Sequence, residues 1–282
     1  MKKINKLKNF NFYYKLLVFL ISLLGLFLII WPILWSFLTT FKEPLEAQRI
    51  PITWLPDNFL YFENYKIIFN DYPILRWLGN SLIITSLSLI STLFFCSLSG
   101  YAFAKLDFRF KEFLFISVLA LIMIPPEITV VPLYLIFSKL GLTNTYAGIV
   151  GPNWLSVVGV FLMRQFMESI PQDYIDAARI DGASEFKIFY MIALPMTISG
   201  FITLAILKSI LTWNDFLWPL VMASDSKMMT INVGIQSFST AFYIDYTLIN
   251  TGAIISIIPL IILYSILQKK VINSMTMSGL KG

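Results

Sequence analysis

The sequence predicts an all-α, polytopic membrane protein with six transmembrane helices, and three observations carry that reading. Hydrophobic residues make up 57% of the 282-residue chain and charged residues only 13%, with a mean hydropathy of +0.77, far from the roughly half-apolar, quarter-charged balance of soluble domains. The apolar residues gather into runs too long for ordinary core helices. The basic residues fall unevenly between alternate loops, which is the pattern that membrane topology imposes.

The elements follow in order. A basic N-terminus, residues 1–15, carries Lys2, Lys3, Lys6, Lys8 and Lys15 ahead of a first span, Leu16 to Leu38. That run is too long for a signal-peptide core and no small-residue cleavage site follows, so it reads as a retained anchor. The loop 39–77 comes next. The second span, Asn80 to Phe103, holds Ser81, Ser86, Ser88, Ser91, Ser97, Ser99 and Gly100, small residues that let helices approach closely. The third, Phe113 to Phe137, contains Pro125, Pro126 and Pro132 beside Glu127. Either its backbone is broken at membrane depth against protein or a wet cavity, or the helix ends near Ile124 and the rest lies at the outer surface. Ala147 to Met163, Thr197 to Leu220 and Leu248 to Leu267 complete the six. The spans define one permease-sized domain, 16–272, followed by a tail, 273–282.

Six spans place both termini on one side. That side gathers the N-terminal lysines with Lys105, Arg109, Lys111, Arg164, Arg179, Lys187, Lys269, Lys270 and Lys281, against Lys42, Arg49, Lys66, Arg76, Lys139 and Lys227 opposite. Both termini and the loop 168–196 are therefore expected in the cytoplasm, and the loop 39–77 outside. The net charge of +5 reflects this loop bias, not a nucleic-acid surface. One cysteine, Cys96, excludes a disulfide within the chain, and the absence of histidine removes the commonest metal ligand and general base. No catalytic, cofactor or metal residues are expected. Lys208 falls near the middle of the fifth span, where a charge is costly and usually functional. It is expected to pair with an acidic group such as Glu127, with a partner chain, or with an anionic substrate. Trp213, Asn214 and Asp215 either face a path through the bundle or serve packing at a helix boundary.

The loop between the fourth and fifth spans reads as two short helices. Pro171, with Asp173 and Asp176, suits a helix start. Gly182 then ends that helix in a left-handed cap, and Ser184 caps the next. In the second helix, Phe186, Phe189 and Tyr190 share an apolar face that can either dock into a partner's groove or pack on its own bundle.

The spacing Asp176-Ala177-Ala178, three residues, Gly182, nine residues, Ile192-x-Leu194-Pro195 is similar to the EAA loop of ABC importer permeases, with Asp176 in place of glutamate. The fuller phrase from Ala177 through Arg179 and Asp181 to Ser184 resembles the carbohydrate-uptake branch. So do Asn80-Ser-Leu-Ile, Tyr101 to Phe110, Pro132-Leu-Tyr-Leu, Gly141 to Gly148 and Trp213 to Leu220. Together these cover about residues 15 to 272, in the size of the shorter, G-type partner of the maltose pair. The C-terminal tail, ending in Lys281-Gly282, matches that branch only loosely.

The resemblance implies a type I importer bundle of the MetI-like kind, half of a heterodimeric translocation pathway for a sugar or oligosaccharide. It implies that Asp176, Ala177, Ala178, Arg179, Asp181, Gly182, Ile192, Leu194 and Pro195 couple to a cytoplasmic ABC ATPase dimer. A second permease subunit, a solute-binding protein outside the membrane, and lipid are the other expected partners. Trp54 and Trp77 are candidate contacts for the binding protein or, equally, members of an interfacial belt. Lys208, Trp213, Asn214 and Glu127 are candidate pathway residues. The chain has no Gly-x-x-x-x-Gly-Lys-Ser/Thr phosphate loop, so ATP and Mg are expected on the partner ATPase and this chain is expected to be no enzyme itself. Rival readings are an importer for glycerol phosphate or another polar solute, an ion-coupled secondary transporter, which would call for midplane ion sites and usually a repeat, and a non-transporting scaffold.

Overall fold

The computed structural model describes residues 2–239 and 243–279, with side chains from 14 to 239 and from 243 to 266. Among the described residues the regular structure is helical, apart from a bridge between Ser239 and Ile244. Three helices are apolar and long enough to cross a membrane unbroken, Tyr14–Thr39, Ile74–Lys105 and Tyr246–Ile266, and three bent helix pairs bring the candidate crossings to six. The chain divides into two compact units, residues 1–72 with 238–255, and residues 73–237 with 256–282.

In the first unit, α1 (Lys2–Thr39) is apolar on every face from Leu16 to Leu34, and most of its side chains from Leu16 to Phe37 stay exposed, as suits a helix bathed in lipid. The loop beyond it carries α2 (Pro44–Ala47) and α3 (Glu63–Asp71). Buried polar groups hold this loop together. Asn64 Nδ2 donates to the carbonyls of Thr40 and Lys42 at 2.9 and 2.8 Å, while its Oδ1 accepts from Thr247 Oγ1 at 3.1 Å. Lys42 donates to the Thr53 carbonyl and lies 4.5 Å from the centre of the Trp35 ring. Glu46 accepts from the Asp57 N–H at 2.9 Å. Such partners are what make a buried cation and carboxylate tolerable. Trp54 is exposed but rests against Trp31 and Trp35, each ring centre 5.5 Å away. Asp245 caps the start of the last helix, its Oδ1 accepting from the N–H groups of Thr247 and Leu248 at 3.0 Å.

The second unit is organised around α4 (Ile74–Lys105), which begins at Ile74 and so takes the end of the expected outer loop into the helix. Then come α5 (Lys111–Ala120), α6 (Pro126–Lys139), α7 (Tyr146–Val150) and α8 (Val157–Glu168). The loop helices α9 (Gln172–Ile180), α10 (Glu185–Ile188) and α11 (Leu194–Met196) lead into α12 (Ile198–Trp213). Finally there are α13 (Leu217–Met222), α14 (Ile231–Gln236) and α15 (Tyr246–Gly279), whose first residues belong to the first unit.

α4 packs chiefly on α8 and α12, and the small residues explain how. A Cβ on Gly100 would lie 2.6 Å from Met163 Cβ and 2.8 Å from the Met163 backbone; one on Gly159 would lie 2.8 Å from Cys96 Sγ. The seam is therefore tight enough to exclude a methyl group, the close approach that the serine- and glycine-rich second span leads one to expect.

Several expected spans are divided. The third does not run from Phe113 to Phe137. It ends in a 3-10 turn, Leu121–Met123, and α6 leaves at 100°. Pro125 and Pro126 cause this, because proline supplies no N–H to the helix and excludes helical geometry from the residue before it. The fourth is bent by 49° between Tyr146–Asn153 and Val157–Glu168. The fifth stops at Trp213, short of Leu220, with α13 a separate helix.

Trp77 does not join an interfacial belt. It is 2% exposed, its Nε1 donates to the Ser226 carbonyl at 2.9 Å, and its ring occupies the space left by Gly234. Beside it, Asn80 Nδ2 donates to the carbonyls of Lys227 and Met229, and its Oδ1 accepts from Tyr146 Oη at 2.7 Å. The tail expected at 273–282 continues α15 as far as Gly279, and residues 280–282 lie outside the described residues.

Candidate coupling site

The loop between α8 and α12 folds as its sequence predicts. α9 follows Pro171 and carries Asp173 in its first turn. It ends at Gly182, whose φ of +79° is left-handed backbone that glycine adopts without strain. The Ala183 N–H bonds to the Ala178 carbonyl and the Gly182 N–H to the Arg179 carbonyl, both at 3.0 Å, which is the Schellman pattern. Ser184 accepts from the Lys187 N–H and opens α10.

One side of this double helix is built into the second unit's core. Ile175, Ala178, Ile188, Phe189 and Ala193 pack with Tyr101, Met163, Met167 and Leu204, and Ile192 and Leu194 border the same cluster. Phe186, Phe189 and Tyr190 line one apolar surface with Phe94 and Leu194, on which Phe189 is buried while Phe186 and Tyr190 stay exposed. The opposite side is open. Tyr174 is 56% and Ile180 86% exposed, with Asp173, Ala177, Asp181 and Gly182 in the open beside them.

Arg179 braces the two helices across the turn. Its Nε donates to Glu185 Oε1 at 2.7 Å, one terminal nitrogen to Asp176 Oδ1 at 3.1 Å, and the other to the Lys105 carbonyl at 3.2 Å. Glu185 also accepts from Tyr101 Oη at 2.7 Å, and Lys105 Nζ donates to the Ile170 carbonyl at 2.7 Å. The Arg179 guanidinium holds the Glu185 carboxyl below its usual range, so the brace is charged at neutral pH. Tyr101 and Lys105, four residues apart on α4, tie the end of that helix to the loop. Their spacing is the signal that would have picked them out, since residues at i and i+4 share a helix face.

Beyond α10, residues Phe189–Ala193 form a π-helical turn, and Glu185–Met196 meets Ile198–Trp213 at 80°. Pro195 brings no N–H for the Met191 carbonyl, and the widened turn accommodates that loss. Thr197, 1% exposed at the corner, returns its hydroxyl to the Ala193 carbonyl at 2.8 Å. The second half of the motif, Ile192, Leu194 and Pro195, therefore shapes a bend, with Pro195 exposed on it.

The four candidate pathway residues do not converge. Glu127 is exposed in the first turn of α6, and Asn214 is exposed and bonds back to the Ile210 carbonyl. Trp213 is buried, with its Nε1 lacking a hydrogen-bond partner among the described residues. Lys208 is 7% exposed and does not meet Glu127: its Nζ donates to Asn153 Oδ1 at 3.1 Å. The segments Gly141 to Gly148 and Trp213 to Leu220 do meet. Trp218 Nε1 donates to the Gly148 and Ile149 carbonyls, and the Asn144 N–H bonds to the Met222 carbonyl.

A bundle of broken apolar helices with a two-helix loop packed on one side and open on the other defines a membrane transport permease. The chain belongs to the family of binding-protein-dependent transport system inner membrane components, whose model matches residues 93–276. It is 35% identical over 258 residues to the arabinooligosaccharides transport system permease protein AraQ of Halalkalibacterium halodurans, covering 91% of this chain and 92% of the relative. It is 31% identical over 263 residues to the sn-glycerol-3-phosphate transport system permease protein UgpE of Brucella suis, covering 89% and 92%. Its fold matches a chain of a bacterial ABC transporter involved in import of the acidic polysaccharide alginate, with a TM-score of 0.79 at 20% identity over 91% of this chain and 95% of that one. The chain is a multi-pass membrane protein with that permease fold.

Proposed function

We propose that this chain is one of two permease subunits of an ABC importer for a sugar or oligosaccharide, driven by a separate ATPase dimer and supplied by a solute-binding protein. The observation that carries the coupling role is the α9–α10 loop, with Gly182 at φ +79° and Ile180 and Tyr174 laid bare beside it. Its open face suits a cleft on an ATPase lying on the cytoplasmic side, the side to which the basic loops assign both termini. ATP and Mg are held by that ATPase. Its closure would push on α9 and α10, and the Arg179 brace with the Tyr101 and Lys105 ties would pass the displacement to α4. A bundle packed as tightly as α4 on α8 responds by moving as a body between inward-open and outward-open states.

The sugar assignment rests on the arabinooligosaccharide relative. A second reading, glycerol phosphate or another polar solute, is favoured by the glycerol-3-phosphate relative at 31% identity. Purification of the tagged chain from its native membrane, followed by ATPase assay of whatever accompanies it, tests the coupling role. Co-purification of an ATPase whose activity rises with a loaded binding protein is the expected result. A chain that isolates without any ATPase, in detergent that preserves other membrane complexes, would overturn it. Competition of uptake by arabino-oligosaccharides against glycerol phosphate then separates the two cargo readings.

A further inference from the structure

The loop beyond α1 leaves a cluster of large apolar side chains bare. Ile50 is 92% exposed, and Ile52, Trp54 and Leu55 are 60–62% exposed. Its rim is charged. Arg49 and Asp57, one on each side of the stretch, meet at 3.2 Å with both side chains more than half exposed, and Glu46 accepts from the Asp57 N–H at 2.9 Å, so the loop is closed at its neck. Lys42 donates to the Thr53 carbonyl and ties the middle of the stretch to the chain just past α1. A contiguous apolar patch with a polar rim marks a surface that meets protein or membrane.

The depth of the patch decides between the two. No residue between Lys15 and Lys42 is charged, and about 20 residues of helix cross the roughly 30 Å of bilayer hydrocarbon. Counted from Leu16, the hydrocarbon ends near Trp35, and Trp31 lies about 6 Å inside it. Trp54 folds back onto this stretch, its ring centre 5.5 Å from both Trp31 and Trp35. On α1 itself Ile30, Ile33 and Leu34 are exposed at the same level, so the patch extends a lipid-facing helix surface. A water-soluble partner standing on the bilayer would have to enter it to reach Trp54. The backbone from 50 to 55 is irregular, and its N–H and C=O groups need water or headgroups, which keeps the backbone in the polar layer while the side chains reach below it.

We propose that residues 50–55 form an interfacial wedge, closed at its neck by Arg49 and Asp57, whose side chains Ile50, Ile52, Trp54 and Leu55 insert among the acyl chains of the phospholipid leaflet at the C-terminal end of α1. The ion pair stays at headgroup level, and the tip fixes the height of the loop against the bilayer. The wedge depends neither on the transported solute nor on the ATPase, so its failure would leave the coupling role standing.

The test places a fluorophore on the tip. Cys96→Ser removes the chain's one cysteine, and Ile52→Cys or Leu55→Cys, at exposed positions where a label disturbs no packing, then carries a nitrobenzoxadiazole dye. The full chain, assembled with its native partners, is reconstituted into vesicles of phosphatidylethanolamine and phosphatidylglycerol. Both labels are expected to be quenched by lipids bearing a nitroxide near the top of the acyl chain, with iodide quenching at least about tenfold weaker than for the free dye, as insertion below the headgroups requires. Leu55→Asp, with the dye at residue 52, is expected to restore iodide quenching by drawing the tip into water. Labels that iodide reaches as freely as the free dye would place the tip in water and overturn the wedge. Labels shielded from both quenchers would place it under a protein partner and overturn it equally, as would full lipid quenching that survives Leu55→Asp.

Discussion

Arg179 and Glu185 meet at 2.7 Å across the Gly182 turn, so the two helices of the loop are joined by charge as well as by chain. Both side chains are more than a third exposed, and an ion pair this open contributes less than about 1 kcal/mol to stability. Its removal should therefore leave the fold intact and disturb the transfer of motion. Arg179→Ala and Glu185→Gln are each expected to insert and assemble normally while losing most of the solute-stimulated ATP hydrolysis. Glu185→Gln that retains full stimulation would show that the brace carries no motion.

Gly182 separates backbone strain from crowding. A Cβ there would meet nothing within 4 Å, so space is not the obstacle; the φ of +79° is. Left-handed backbone costs an ordinary residue roughly 1–2 kcal/mol, and asparagine less. Uptake should fall in the order Gly182, Asn, Ala, Val, with membrane levels unchanged. An alanine variant as active as wild type would mean that the cap angle is not read by the partner.

Two glycines of the same helix should respond in opposite directions. Alanine at Gly100 would drive a methyl group into the Met163 backbone and is expected to cost about 1–3 kcal/mol, as overpacking does. Alanine at Gly79, with open space around it, should raise stability by up to about 1 kcal/mol through helix propensity. Thermal unfolding of the purified subunit in detergent measures both; equal shifts at the two sites would contradict the tight α4–α8 seam.

Lys105→Ala should release the end of α4 from the loop. Its ammonium is buried and donates to the Ile170 carbonyl, so truncation leaves that acceptor unpaired at a cost of about 1–3 kcal/mol. Faster proteolysis between α8 and α9 is the expected sign, and wild-type resistance would count against the tie.

What could be read from the sequence was what local chemistry decides. Gly182, Ser184 and Pro171 announced the α9–α10 turn because caps and left-handed positions restrict residue type strongly. Gly100 and the serines announced close packing. What could not be read depended on partners far along the chain. For Trp77 the sequence leaves a binding-protein contact and a belt position open, because its pocket is made by Gly234 and its hydrogen bond by Ser226, 149 residues away. For Lys208 the sequence offers an acidic group such as Glu127, a partner chain or an anionic substrate, whereas its amide partner, Asn153, sits at a break that no periodicity marks.

Asn64 gives the first unit a history as well as a structure. Its amide joins carbonyls at residues 40 and 42 to a hydroxyl at residue 247, which is made 183 residues after Asn64. Until α15 arrives, the Asn64 oxygen has no Thr247 to accept from, so the loop stays only partly fastened while the ribosome adds the residues between them. A nascent chain arrested before Thr247 should accordingly be cut by protease between residues 40 and 64 where the finished protein resists. The same bond that stiffens the loop thus makes its fastening wait on α15.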